Sequence, residues 1–309
     1  MATAYYFHED CLNHVTPPGH PEQVARLEYI ARALADLPLD RRAAPLGDES
    51  DVLLCHPQAH FDKIRLVQPG NGAFVSIDAD THASTGSFQA AMRGVGAIVA
   101  ATDAVLSGEV QNAFVGCRPP GHHAETETAM GFCFFGNVAI GARHALERHG
   151  LSRAAVVDFD VHHGNGTQDL LWDEARALFI SSHQMPLYPG TGAVHERGAH
   201  GQIINQPLPA GSGSAEMRMR YSRDLFPALE KFDPDMIYIS AGFDAHQDDP
   251  LANLNWTTDD FAWITREICQ IAARVCEGRV VSTLEGGYDL EALAASTAVH
   301  VKELIEAGQ

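Results

Sequence analysis

Short apolar runs rich in Val, Ile and Phe alternate with segments of helical period along the whole 309-residue chain, and this alternation restricts the fold more than any single motif. Elements arranged in this way pack as βα units around a parallel sheet. Strands are expected at residues 4–7, 113–116, 154–159, 178–181, 203–207, 236–240 and 280–284, and their composition suits strands covered on both faces. Between them Ser84 is a candidate cap for a helix in which Phe88, Ala91, Val95, Ile98, Val99, Thr102 and Leu106 recur at helical spacing, with Gly108 after its end. Further helices are expected at 22–35, 137–148, 215–231, 258–276 and 290–305. No repeat, low-complexity tract or linker divides the chain, so one α/β domain over 1–309 is expected.

Composition narrows the class. A hydrophobic content of 45% over this length supplies a large core. No basic, apolar leader opens the sequence, and no run approaches the ~18 apolar residues of a membrane span, so a cytoplasmic chain without membrane contact is expected. The formal charge of −19 disfavours nucleic acid as a partner and suits a cationic one. Six cysteines, Cys11, Cys55, Cys117, Cys133, Cys269 and Cys276, lie apart without a CxxC pair, which implies reduced packing thiols rather than a disulfide frame or thiolate zinc site.

Ligands of parallel sheets lie beyond the carboxyl ends of the strands, and the polar clusters fall there. Arg118-Pro-Pro-Gly-His122-His123, His162-His163-Gly-Asn165, Ser181-Ser182-His183-Gln184, Gly242-Phe-Asp244-Ala-His246 and Glu285-Gly286-Gly287-Tyr288 each follow an expected strand. If the run from Val156 to His163 stays extended, Asp158, Asp160 and His162 share one face, because side chains alternate. Two carboxylates and an imidazole there are costly to bury without a cation. Any one of these aspartates is readily satisfied by backbone donors, whereas the set is not. Asp244 offers a further oxygen, and an Asp160, His162, Asp244 set leaves an open position on a tetrahedral ion, as catalytic zinc requires. Two carboxylates nearly neutralise a divalent ion, which makes neighbouring acid/base groups more necessary and Fe²⁺ admissible. The glycines at 164 and 166 are not followed by Lys-Ser/Thr, so a phosphate-binding loop is excluded.

These stretches resemble the zinc-dependent histone deacetylases and their class II-like bacterial amidohydrolase relatives. The likeness is carried by Arg118-Pro-Pro-Gly-His-His-Ala124, Gly131-Phe-Cys-Phe134 with Asn137-Val-Ala-Ile140, Asp158-Phe-Asp-Val-His-His-Gly-Asn-Gly-Thr167 and Tyr188-Pro-Gly-Thr-Gly192. It continues through Ala241-Gly-Phe-Asp-Ala-His246 with Asp249-Pro-Leu251 and Glu285-Gly-Gly-Tyr288, and His20-Pro-Glu22 extends it towards the N-terminus. It implies the arginase/deacetylase fold, a parallel sheet of about eight strands flanked by helices.

Carried over residue by residue, the resemblance makes Asp160, His162 and Asp244 the ligands of one Zn²⁺. His122 and His123 become the tandem catalytic histidines, backed by Asp158 and Asn165, and Tyr288 the catalytic tyrosine. An asparagine at 165 matches the class II branch and orients His123 without adding charge. A structural K⁺ site is implied at Asp158, Asp160, His162, Ser181 and Ser182, partly through backbone carbonyls. Phe132 is the expected wall of the acyl tunnel, with Gly131, Leu251 and Gly286 beside the substrate. The implied activity is hydrolysis of an acylated amine. Leu251 stands where one polyamine-selective branch has an acidic residue, which favours acyl-lysine over small acylated amines such as acetylpolyamines, although Glu9, Asp10, Glu22 or Asp80 could approach the mouth. The alternative class is a low-turnover binder of acyl-lysine, against which Tyr288 speaks. A dimanganese ureohydrolase on this fold lacks its doubled Asp/His clusters here. The resemblance also implies a homo-oligomer, a dimer or tetramer.

Overall fold

The structure, a computed structural model, describes residues 2–70 and 72–309. In chain order its regular elements begin with β1 (Thr3–Phe7), α1 (Ala25–Ala33), β2 (Asp40–Ala43), α2 (Glu49–Val52), α3 (Gln58–Leu66), β3 (Val75–Ser76) and β4 (His82–Ala83). They continue with α4 (Ser87–Leu106), β5 (Asn112–Val115), α5 (Asn137–Arg148), β6 (Ala154–Asp158), α6 (Asn165–Leu170), β7 (Ala177–Gln184) and β8 (Ile203–Leu208). The last are α7 (Ser214–Arg220), α8 (Phe226–Phe232), β9 (Met236–Ala241), α9 (Thr258–Val275), β10 (Val280–Leu284) and α10 (Leu290–Ala307).

Eight strands form one sheet in the order β2-β1-β5-β10-β9-β6-β7-β8, and every neighbouring pair is parallel. Helices flank it: α4 packs on α5 against the central strands, while α10 packs on α9 and α1. The chain steps outward from β6 to β8 and then returns, laying β9 against the free side of β6 and β10 between β9 and β5. That return makes neighbours of the loops leaving β5, β10, β9 and β6. Because the strands are parallel, all four loops emerge at one rim.

All seven expected strands are present, within a few residues of their bounds. The eighth, β2, reads Asp-Arg-Arg-Ala and is an edge strand held on one side only by β1. A polar edge strand carries little hydrophobic signal, which is why pattern reading passes over it. The residues Ser181 to Gln184 lie inside β7 rather than beyond it. Ser84 does not cap α4: the helix starts at Ser87 after Gly86, and the Ser84 hydroxyl accepts the Val15 N–H at 3.0 Å. The cysteines are free, and all but the partly buried Cys55 are buried. No helix among the described residues is long and apolar enough to cross a membrane.

Ile239 is fully buried in β9, between β10 and β6. Ile239→Ala removes three buried carbons at the centre of the sheet and is expected to cost about 2–5 kcal/mol in urea unfolding. An unchanged urea midpoint would contradict this placement.

Candidate active site

β6 ends at Asp158, and the chain does not stay extended beyond it as the alternation suggested. Asp158 Oδ1 accepts the N–H of Asp160 at 3.1 Å, and Asp160 Oδ1 accepts that of His162 at 2.9 Å. Each carboxylate captures the amide two residues ahead, a local closure that competes with strand pairing and curls the segment. Phe159 and Val161 drop into the core, and the three polar side chains remain buried at the rim.

Asp160 and His162 meet Asp244, which the β9 loop delivers through Gly242-Phe243. One ligand atom from each of the three lies within 4.8 Å of the others. His162 Nδ1 is 3.2 Å from Asp160 Oδ1 and 3.1 Å from Asp244 Oδ2. The outer oxygens are already satisfied, Asp160 Oδ2 by the Gly286 N–H at 2.8 Å and Asp244 Oδ1 by the Val161 N–H at 2.9 Å. Burial opposes a charge on His162, yet the two carboxylates push it up to about 10, which favours a proton on Nδ1. Two carboxylate oxygens and one imidazole nitrogen converging on a buried point suit a divalent ion in place of that proton.

The β5 loop brings His122 and His123 beside this set, with ring centroids 4.0 Å apart. His122 Nδ1 donates to Asp158 Oδ2 at 3.0 Å. Burial disfavours its charge, but Asp160 and Asp158 outweigh burial and hold the imidazole well above its usual range. His123 moves the other way, pushed well down by burial and then by the charges of His122 and His162. Its Nδ1 lies 2.7 Å from Asn165 Oδ1, while Asn165 Nδ2 donates to Glu125 Oε1 at 2.7 Å. The Asn165 oxygen therefore accepts from Nδ1–H, which leaves His123 Nε2 with a free lone pair. The surroundings thus favour charge on His122 and disfavour it on His123.

The tyrosine of the β10 loop completes the group. Tyr288 is nearly buried, and burial raises its phenol well above the usual value, so it remains a hydrogen-bond donor. Its backbone N–H is held by Asp249 Oδ2 at 2.7 Å.

The family description "Histone deacetylase domain" matches residues 20–304, nearly the whole chain. The chain belongs to the histone deacetylase family. It is 43% identical to "Histone deacetylase 14, chloroplastic" of Arabidopsis thaliana, over 93% of this chain and 73% of that protein. It is 38% identical to the "Histone deacetylase-like amidohydrolase" of Pseudomonas aeruginosa, over 93% of this chain and 81% of that one. Among solved structures, that of the HDA15 HD domain superposes with a TM-score of 0.91 at 32% identity, covering 99% of this chain and 89% of the other. A deacetylase or amidohydrolase of this family is the activity that these relatives support.

In this histone deacetylase fold the grouped residues lie at the inner end of a cavity of about 390 Å³, into which His123, His162 and Tyr288 face. Gly131, Phe132 and Leu251 line it. Gly286 instead lies behind Asp160, where its N–H is bound and a Cβ would overlap the Asp160 and Asp244 carboxylates. Phe132 holds a left-handed φ of 69° with its N–H on Thr81 Oγ1 at 3.0 Å, and its ring stands edge-on to Tyr288 at 5.8 Å. A bulky residue in that region is strained, a cost that marks wall positions held for function. Of the four acidic residues that could reach the mouth, Asp80 lines the cavity. Asp10 is paired with Arg93 at 2.7 Å, and Glu22 is buried elsewhere. Ser181 and Ser182 are successive strand residues, so their side chains leave opposite faces of the sheet. Their hydroxyls bond His183 Nδ1 at 2.9 Å and the Tyr221 hydroxyl at 2.6 Å.

Three supports escaped sequence reasoning. Tyr188 forms a cavity wall edge-on to His123, with centroids 5.2 Å apart. Glu285 accepts the N–H groups of Gly121 at 2.7 Å and His122 at 3.1 Å and the Ser240 hydroxyl at 2.8 Å, which fixes the start of the tandem histidines. Arg26 donates to Gly287 O at 2.7 Å and Glu285 O at 2.5 Å, bracketing the turn before Tyr288. Their available signals were an acidic residue closing an apolar run and an aromatic beside Pro-Gly; for Arg26, four residues after Glu22 on a helix, no signal separated it from a surface ion pair.

Gly286→Ala places a methyl against both carboxylates. The variant is expected to keep native circular dichroism but to lose its bound divalent ion at stoichiometric loading, measured by elemental analysis after dialysis. Full retention would contradict the assignment of Asp160 and Asp244 as a ligand pair.

Proposed function

We propose that this member of the histone deacetylase family is a zinc-dependent deacylase that hydrolyses the amide of acyl-lysine. The observation that carries the reading is the pair His122 and His123, pushed in opposite directions beside a three-ligand set at the inner end of the cavity. Environments that split two titratable groups in this way mark acid and base assignments.

Zinc held by Asp160, His162 and Asp244 would supply Lewis-acid polarisation of the acyl carbonyl and make a water easier to deprotonate. His123, with Nε2 free, takes the proton of the attacking water as the new C–O bond forms. It then gives a proton to the amine nitrogen as the C–N bond breaks, so that a carboxylate and a free amine leave. His122 remains a cation on Asp158 and offsets negative charge at the carbonyl carbon's substituents. Tyr288 donates to the developing oxyanion. The neutral amide of Asn165 orients His123 while drawing it towards the charged form less than a carboxylate would, and this supports the class II-like branch. A K⁺ ion on Asp158, Asp160, His162 and the carbonyls of Ser181 and Ser182 belongs to the same reading, as does Fe²⁺ as a substitute for zinc.

The walls support an acyl-lysine substrate. Phe132 and Tyr188 present aromatic surface suited to a methylene chain, and Leu251 offers no ionic contact. Asp80 favours a second reading, a small acylated amine that keeps a second cationic nitrogen, because a partly buried carboxylate at the mouth rewards such a charge.

Kinetics on acetyl-lysine peptide, longer acyl-lysine peptide and acetylspermidine test both. Tyr288→Phe is expected to lower kcat about 10²–10³-fold with KM little changed, as for loss of one oxyanion donor. Chelation is expected to abolish turnover, and one equivalent of Zn²⁺ to restore it. A Tyr288→Phe enzyme as fast as wild type would remove the oxyanion role.

The substrate ranking has its own variant. Asp80→Asn is expected to leave acetyl-lysine peptide kcat/KM within about threefold, the scale of a weak exposed charge contact. A selective loss for acetylspermidine, joined to a wild-type preference for it, would reverse the ranking.

A further inference from the structure

Three metal-ligating side chains meet at a place with no part in the pocket. Asp103 lies in the last turn of α4, His144 on α5 and His149 at the residue that ends α5. His144 Nε2 is 2.7 Å and His149 Nε2 2.6 Å from the same oxygen, Asp103 Oδ1, and the imidazole centroids are 5.2 Å apart. One ligand atom of each lies within 4.8 Å of the other two, the same closeness shown by Asp160, His162 and Asp244.

We propose that Asp103, His144 and His149 form a second metal site, for a borderline divalent transition ion such as Zn²⁺ or Ni²⁺, on the rim opposite the catalytic pocket. The location follows from topology. α4 runs into β5 and α5 into β6, so the C-terminal ends of both helices stand where those strands begin, and the catalytic groups stand where they end. Two imidazole nitrogens and one carboxylate oxygen suit borderline ions, whereas Mg²⁺ and Ca²⁺ favour all-oxygen sets. Both helices also direct the negative ends of their backbone dipoles towards the cluster, which favours a cation there.

The side chains combine fixity with access. His144 is 9% exposed and held between the packed helices, while Asp103 and His149 are 51% and 32% exposed. Ligands about 2.0–2.1 Å from a tetrahedral ion stand about 3.3 Å from one another, so the two contacts of Asp103 Oδ1 must lengthen by about 0.6–0.7 Å, and the exposure of Asp103 and His149 permits it. Water fills the remaining positions. An ion bound there ties the end of α4 to the end of α5 and stabilises the folded chain without touching substrate.

Equilibrium dialysis of metal-stripped full-length protein against Ni²⁺, with bound metal counted per chain, tests the site. Wild type is expected to hold one ion more than His149→Gln or Asp103→Asn, or to bind that ion at least tenfold more tightly. Both variants are expected to keep wild-type deacylase turnover after zinc loading, and Ni²⁺ is expected to raise the Tm of wild type more than theirs. His149 and Asp103 are the exposed members, so these variants retain the buried His144 and the fold. Because the readout is a difference between wild type and variant, it is independent of whether the pocket also binds metal. Equal ion counts with affinities within tenfold would overturn the site and leave a hydrogen-bonded histidine–aspartate cluster.

Discussion

Four carboxylates, those of Asp158, Asp160, Asp244 and Glu285, are fully buried at one rim of the sheet, and the rest of the site is built around tolerating them. Bringing so much negative charge out of water is unfavourable unless every oxygen finds a donor. Here the donors are backbone N–H groups of Asp160, His162, Val161, Gly121, His122 and Gly286, with the imidazoles of His122 and His162 between the charges. Those amides come from the ends of three different strands, β5, β6 and β10, while Asp244 itself comes from the end of a fourth, β9. The order β5-β10-β9-β6 is therefore a condition of the site, since no single loop could supply them. The same accounting explains Gly242 and Gly286, where a Cβ would occupy the space of a carboxylate.

A second buried charge cluster stiffens the loops that carry His122 and Tyr288. Glu22 is fully buried and bound by Arg26 and Arg118, with His14 Nε2 3.3 Å from its other oxygen. Burial works against the Glu22 charge, but Arg118 and His14 outweigh it and hold the carboxyl well below its usual range. Arg118 opens the loop that ends in His122-His123, and Arg26 grips the backbone ahead of Tyr288. One carboxylate thus couples the start of the tandem-histidine loop to the tyrosine turn. Removing one partner of such a cluster leaves an uncompensated buried charge, so it specifies geometry more than it adds net stability.

Legibility varied with the range of the interaction. β6, β9 and β10 were readable because a strand covered on both faces must be apolar along its length, and α5 because its period and start signals are local. Asp160, His162 and Asp244 stood out because charges directly after such strands have few benign explanations. The curl after Asp158 was not readable: it depends on carboxylates capturing nearby amides in competition with strand pairing. Nor was the edge strand β2, whose polar residues look like loop. Glu22 could have been a solvent-facing charge at the mouth; only the closure of Arg118, 96 residues away, over Glu22 together with the nearby Arg26 and His14 shows that it is interior.

The sequence alone determined the α/β class, the seven apolar strands and the chemical kinds gathered at the strand ends, because these follow from periodicity and from the types of side chain present. Tertiary structure decided which kinds meet and in what state. The return of β9 and β10 between β5 and β6 sets Asp244 on His162 and Glu285 under His122, and the β3–β4 turn brings Asp80 to the cavity wall. Burial and neighbouring charge then drive His122 up and His123 down. Distances across the sheet and exclusion of water have no counterpart in a linear chain, and those two quantities turn a list of histidines and carboxylates into one buried cluster with two oppositely shifted imidazoles.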